Sequence, residues 1–176
     1  MSWIDYVKDN RLVLPKKFNE VLYCSRNNLT ELVLPEGFDE DLNCSWNKLT
    51  NLVLPEGFNS NLDCSSNDLT KLRLPEGFNS VLDCSYNKLT ELRLPDGFNS
   101  KLYCWLNNFT EIVLPFGFNS VLLCDNDDLH KIRNCMVGYN LDYFQAGYKI
   151  HQDLDLTQLP KLMGYIRNRR IEEVLS

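Results

Sequence analysis

From Leu12 to Leu129 the apolar and polar positions keep one recurring order. In NLDCS (residues 61–65) they alternate, so Leu62 and Cys64 share one side and Asn61, Asp63 and Ser65 the other. Asn67 breaks the alternation. Leu69, Leu72 and Leu74 are the apolar positions of LTKLRL, and Pro75-Glu76-Gly77 closes the unit before Phe78. The pattern predicts a short strand, a turn at the asparagine, an extended return and a tight turn. Proline and glycine there occupy the positions that a type I turn favours.

The unit recurs at a step of 20 residues. Pro15, Pro35, Pro55, Pro75, Pro95 and Pro115 keep this period, as do Phe18, Phe38, Phe58, Phe78, Phe98 and Phe118. Cys24, Cys44, Cys64, Cys84, Cys104 and Cys124 follow in step, and so do Asn27, Asn47, Asn67, Asn87 and Asn107, with Asp127 in the sixth slot. One such coil cannot bury its own apolar face, so stacking has to create the core. Equivalent strands would then lie about 4.8 Å apart in a parallel sheet. The inward set of a coil is expected to be of the Leu62, Cys64, Leu69, Leu72, Leu74 and Phe78 type. Each large side chain buried contributes roughly 1.5–3 kcal/mol.

The spacing L-x-C-x-x-N-x-L, carried here by Leu62, Cys64, Asn67 and Leu69, resembles the leucine-rich repeat family in its short form, with Cys where Leu is commonest. The Leu-Pro pairs resemble the short repeats of bacterial effector proteins, and similar units occur in proteins of large DNA viruses. The resemblance implies a repeat solenoid: a right-handed superhelix with a parallel β-sheet on its concave face, extended or turn segments on its convex face, and helical caps. Residues 1–11 would form the N-terminal cap, 12–134 the solenoid and 135–176 a mostly helical C-terminal cap. It further implies a non-enzymatic protein-protein interaction module, with a host protein as partner if the chain is of pathogen or viral origin.

The ends of the chain fit covers for an open stack. Trp3, Ile4, Tyr6 and Val7 fit one face of a short helix. Leu159, Leu162, Met163, Ile166 and Val174 keep helical spacing, with Thr157 as N-cap and Pro160 in the first turn. Whether this tail only caps the stack or also docks a partner stays open.

Composition narrows the function classes. A chain of 176 residues suits one domain, and its net charge of −6 argues against a non-specific nucleic-acid binder. No apolar run is long enough to span a membrane, and the start lacks the basic and apolar regions of a secretion signal. With seven cysteines, an odd number, the expectation is a reduced, intracellular protein.

The cysteine column reads as structure. There is no C-x-x-C, and only two histidines are present. Parallel side chains about 4.8 Å apart stand too far for the ~3.5–4.5 Å between Cβ atoms of a disulfide. The asparagine column reads as a hydrogen-bonding ladder, and Asp127, an acceptor only, cannot donate to a next coil. DNDDLH (residues 125–130) lacks the Gly and Glu of a calcium loop. No metal or cofactor site is expected. A thiol-based redox or metal protein and a structural, self-associating protein are the alternatives to the binding module.

Function would sit in the outward slots, which vary while the inward ones do not. The slots flanking the strand leucines and cysteines hold Tyr23, Trp46, Asp63, Asp83, Tyr86, Lys101, Tyr103 and Trp105, with Val81, Leu106, Val121 and Leu123 nearby. Aromatic anchors amid mixed charge are the composition of interface hot spots. The competing reading is that these rings only stack along the sheet. Phe116 is the one apolar residue in the slot after the recurring proline.

Overall fold

The computed structural model describes residues 2–116, 118, 120–124 and 132–133. Among them the chain runs β1 (Val7–Lys8), β2 (Arg11–Val13), β3 (Leu22–Tyr23), β4 (Glu31–Val33), β5 (Leu42–Asn43), β6 (Leu62–Asp63), β7 (Leu82–Asp83), β8 (Glu91–Arg93), β9 (Leu102–Tyr103), β10 (Glu111–Val113), β11 (Leu122–Leu123) and β12 (Ile132–Arg133). The alternating NLDCS-type segments pair in the order β3-β5-β6-β7-β9-β11, all parallel. Leu22, Leu42, Leu62, Leu82, Leu102 and Leu122 stand opposite one another, one repeat apart. The fold is therefore a parallel-strand β-solenoid of about six turns with 20-residue repeats.

The extended returns make a second face. There β2 pairs with β4, and β10 pairs with both β8 and β12, again in parallel. Residues 51–55 and 71–75, in the middle of the stack, carry no strand, although Leu52 and Leu72 are still buried.

Leu62, Cys64, Leu69, Leu72 and Phe78 are buried as a set, and their equivalents fill the core from coil to coil. The proposed inward set is one residue too large in mid-stack. Leu34, Leu54 and Leu74 are only partly buried, whereas Leu14, Leu94 and Leu114 are fully so. Phe18, Phe38, Phe58, Phe78, Phe98 and Phe118 form a continuous column, with successive ring centres 5.9–6.2 Å apart.

Two local expectations are corrected. The Pro-Glu-Gly turn is not type I. Phe58 N–H donates to Pro55 C=O at 3.2 Å, and Gly57 has φ of 79°. Proline thus stands at the first position and glycine at the third, the φ > 0 position of a type II turn. The N-terminal cover is a single 3-10 turn, Trp3–Tyr6, followed by an antiparallel hairpin of β1 on β2. Asp9 and Asn10 both have positive φ, 49° and 61°, as a two-residue type I′ hairpin turn demands. That backbone reversal ends the helix after one turn and leaves Ile4 exposed, while Trp3, Tyr6 and Val7 pack on the core. The expected C-terminal cap and Asp127 lie outside the described residues.

The corner after each strand has a repeated cost. Arg26, Trp46, Ser66, Tyr86 and Leu106 all adopt φ between 49° and 62°. A left-handed conformation costs a residue with a Cβ roughly 1–2 kcal/mol. The hydrogen bonds that run from coil to coil through this corner offset the strain: Trp46 N–H donates to Ser65 C=O, and Tyr86 N–H to Trp105 C=O, at 3.0 and 2.8 Å.

Candidate functional site

The face of the six-stranded sheet brings the proposed residues into rows. Strand register places Asn43, Asp63, Asp83 and Tyr103 directly beside one another on β5, β6, β7 and β9. The acidic pair has a local task as well. Asp63 Oδ1 accepts from Ser65 N–H at 3.0 Å and from its hydroxyl at 2.6 Å, and Asp83 Oδ1 accepts from Ser85 N–H at 3.0 Å. These are side-chain turns of the Asx type, which shape the chain after the strand. Burial raises the Asp83 pKa above the ordinary aspartate value. The bonds from Ser85 oppose that shift, and the neighbouring Asp63 charge adds to it.

Trp46 and Tyr86, expected to project outward beside the strands, stand at the left-handed corners, with Ser66 between them. They are 59% and 52% exposed. Arg26 lies over the Trp46 ring, 5.1 Å from its centre. Tyr103 and Trp105 meet edge to face at 6.0 Å and are half-buried, so they form a fixed pair. Tyr23, on β3 at the end of the sheet, is 64% exposed. Lys101 is exposed just ahead of β9. Leu123, expected to face outward, is buried, and Val81 and Val121 are half-buried.

The six column cysteines, Cys24 to Cys124, are buried free thiols. Burial pushes the Cys24 thiol up to about 12, and it raises Cys44, Cys64 and Cys84 as well. A thiol held protonated is a poor nucleophile and a poor metal ligand. Among the described residues no group of three or more His, Cys, Asp or Glu side chains could hold a metal ion.

The asparagines bond backward. Asn67 Nδ2 donates to Cys44 and Cys64 C=O, and its Oδ1 accepts from Leu49 N–H. Asn47, Asn87 and Asn107 repeat the arrangement, each reaching into the coil before its own. Asn27, in the first repeat, donates to Ser25 C=O of its own turn. The donation to a next coil that the sequence reading assumed is thus reversed. A second ladder was missed: Asp39, Asn59 and Asn79 accept, through Oδ1, the N–H of Asn59, Asn79 and Asn99. The recurring F-N-S, beside a turn, was the available signal.

Behind the sheet, an open groove of about 900 Å³ runs past Leu74, Arg93, Leu94, Val113 and Leu114 to Phe116, which is 76% exposed. No known protein family, curated protein or solved structure matches the chain.

Proposed function

We propose that the chain is a non-enzymatic, intracellular binding module of the leucine-rich repeat type, which holds a protein partner on the face of its six-stranded sheet. The observation that carries this reading is the contrast between a uniform core and an outward face with exposed rings. Tyr23, Trp46 and Tyr86 each leave more than half of their surface in water, though the coils behind them are nearly identical. Exposed aromatic area of this kind is typical of the anchors at protein interfaces.

Curvature of the stack supports the same choice of face. Hydrogen-bonded parallel strands step by about 4.8 Å, whereas Phe38, Phe58, Phe78 and Phe98 step by 6.0–6.1 Å. Coils set closer at the sheet than at the phenylalanines would bend with the sheet inside, which is consistent with a concave binding face. If the chain comes from a pathogen, the partner is a host protein.

Affinity capture from cells, comparing the native chain with a Tyr103→Ala/Trp105→Ala variant, tests the face. Partner recovery should fall with the double variant, and equal recovery would remove this face from consideration. A second reading, self-association, draws on the position of β3 at the end of its sheet. Among the described residues β3 has a neighbour, β5, on one side only, and such edges pair with other chains. Sedimentation of the purified chain over a range of concentrations separates the two readings.

A further inference from the structure

The second coil shows what the fold requires at the slot of Asp63 and Asp83. Asn43 stands there and accepts from Ser45 N–H at 3.1 Å and from its hydroxyl at 2.7 Å. Asp63 makes the same two bonds to Ser65. The turn needs an acceptor and no charge. Two carboxylates nevertheless occupy directly paired positions on β6 and β7, where like charges repel.

Nothing in the described chain neutralises them. The ion pairs there are Arg11–Glu31 and Lys88–Asp68, and Arg26 is engaged with Trp46. Lys101, exposed near β9, forms no ion pair with either aspartate. Aromatic residues stand on the neighbouring coils. Tyr103 adjoins Asp83 in register, and Trp46 and Tyr86 flank Ser66, two coil steps or about 9.6 Å apart. The serine is too short to fill the space between the two rings. Carboxylates and aromatic faces both attract cations, and the Arg26 contact shows that the Trp46 ring accepts a guanidinium.

We propose that this exposed face seats an arginine of an extended partner segment, its guanidinium against Asp63 and Asp83 and its stem over Ser66 between Trp46 and Tyr86. The proposal rests on the protein-binding reading above and names the chemistry of the partner. A charge-assisted contact of this kind is worth a factor of about ten or more in affinity.

The test is fluorescence anisotropy of a labelled peptide of alternating arginine and serine, titrated with the full chain, beside the same peptide with glutamine for arginine. The arginine peptide should bind, and the glutamine peptide at least about tenfold more weakly. Asp63→Asn/Asp83→Asn should lose a similar factor while melting as a folded protein, because Asn43 already serves that turn. A Glu36→Gln/Glu56→Gln variant, which removes as much charge from the recurring proline turns, should bind like the native chain.

Equal binding by the Asp63→Asn/Asp83→Asn variant, equal losses in both variants, or no preference for arginine would overturn the proposal. If Asp63→Asn/Asp83→Asn still captures the cellular partner while Tyr103→Ala/Trp105→Ala does not, the arginine seat falls and the binding face stands. If neither variant loses the partner, the face itself falls.

Discussion

The side chain of Asn67 completes the coil of Leu49: its Oδ1 accepts the Leu49 N–H at 2.9 Å, while its Nδ2 donates at 3.0 Å to Cys44 C=O in that same coil. Removing it strands the buried Leu49 N–H, whereas Cys44 C=O keeps the bond from Asn47 Nδ2. An unsatisfied buried group costs about 1–3 kcal/mol, so Asn67→Ala should lower unfolding stability by about that amount in urea titrations. Asn27→Ala should cost clearly less, since Asn27 Nδ2 donates within its own turn.

The thiols give a second expectation. A disulfide-exchange reagent at neutral pH should leave the column cysteines unlabelled until denaturant is added, because they are buried. Their titration also sets an alkaline limit. Unfolded thiols ionise near about pH 8.5, whereas folded Cys24 ionises only at about 12. A raised thiol pKa means stability is intact below the unfolded value and falls as pH rises between the two. Melting temperature should therefore decline above pH ~9, and less so in Cys24→Ala after allowing for its lower starting stability.

Backbone strain predicts opposite signs at two neighbouring turns. An added Cβ at Gly57 meets nothing within 4 Å, so Gly57→Ala carries only the cost of positive φ. That is about 1–2 kcal/mol of lost stability. Ser66 holds φ of 54° without being glycine. Asparagine tolerates that region better, so Ser66→Asn should gain up to ~1 kcal/mol in the same denaturation assay.

Asp83→Asn should raise the melting temperature at pH 7. Burial holds the Asp83 pKa above its ordinary value, so the ionised carboxylate costs stability above its folded pKa and nothing once pH falls below the unfolded value near about 3.9. The advantage of the variant should shrink as pH is lowered through that window. A constant advantage across it would place the cause elsewhere than in the charge.

The period of the chain exposed most of the scaffold. Leu62 and Cys64 alternate with polar neighbours, and a two-residue strand with its parallel partners follows from that alternation and the 20-residue step. The sequence reading left out what depends on backbone torsion. Nothing in the letters of Trp46 or Tyr86 announces a left-handed corner, since neither is Gly or Asn, and so both read simply as outward residues beside the strand. The Asx turns were more accessible, because an Asx with Ser two residues on recurs at Asn43, Asp63 and Asp83. The hairpin at Asp9-Asn10 was legible too, but the apolar spacing of Trp3 to Val7 pointed to a longer helix.

The backward reach of the asparagines gives the molecule a direction in time. A coil leaving the ribosome still lacks a partner for its Leu N–H, and only the next coil brings it. Synthesis therefore finishes each turn one repeat late, and the newest coil is always the unfinished one.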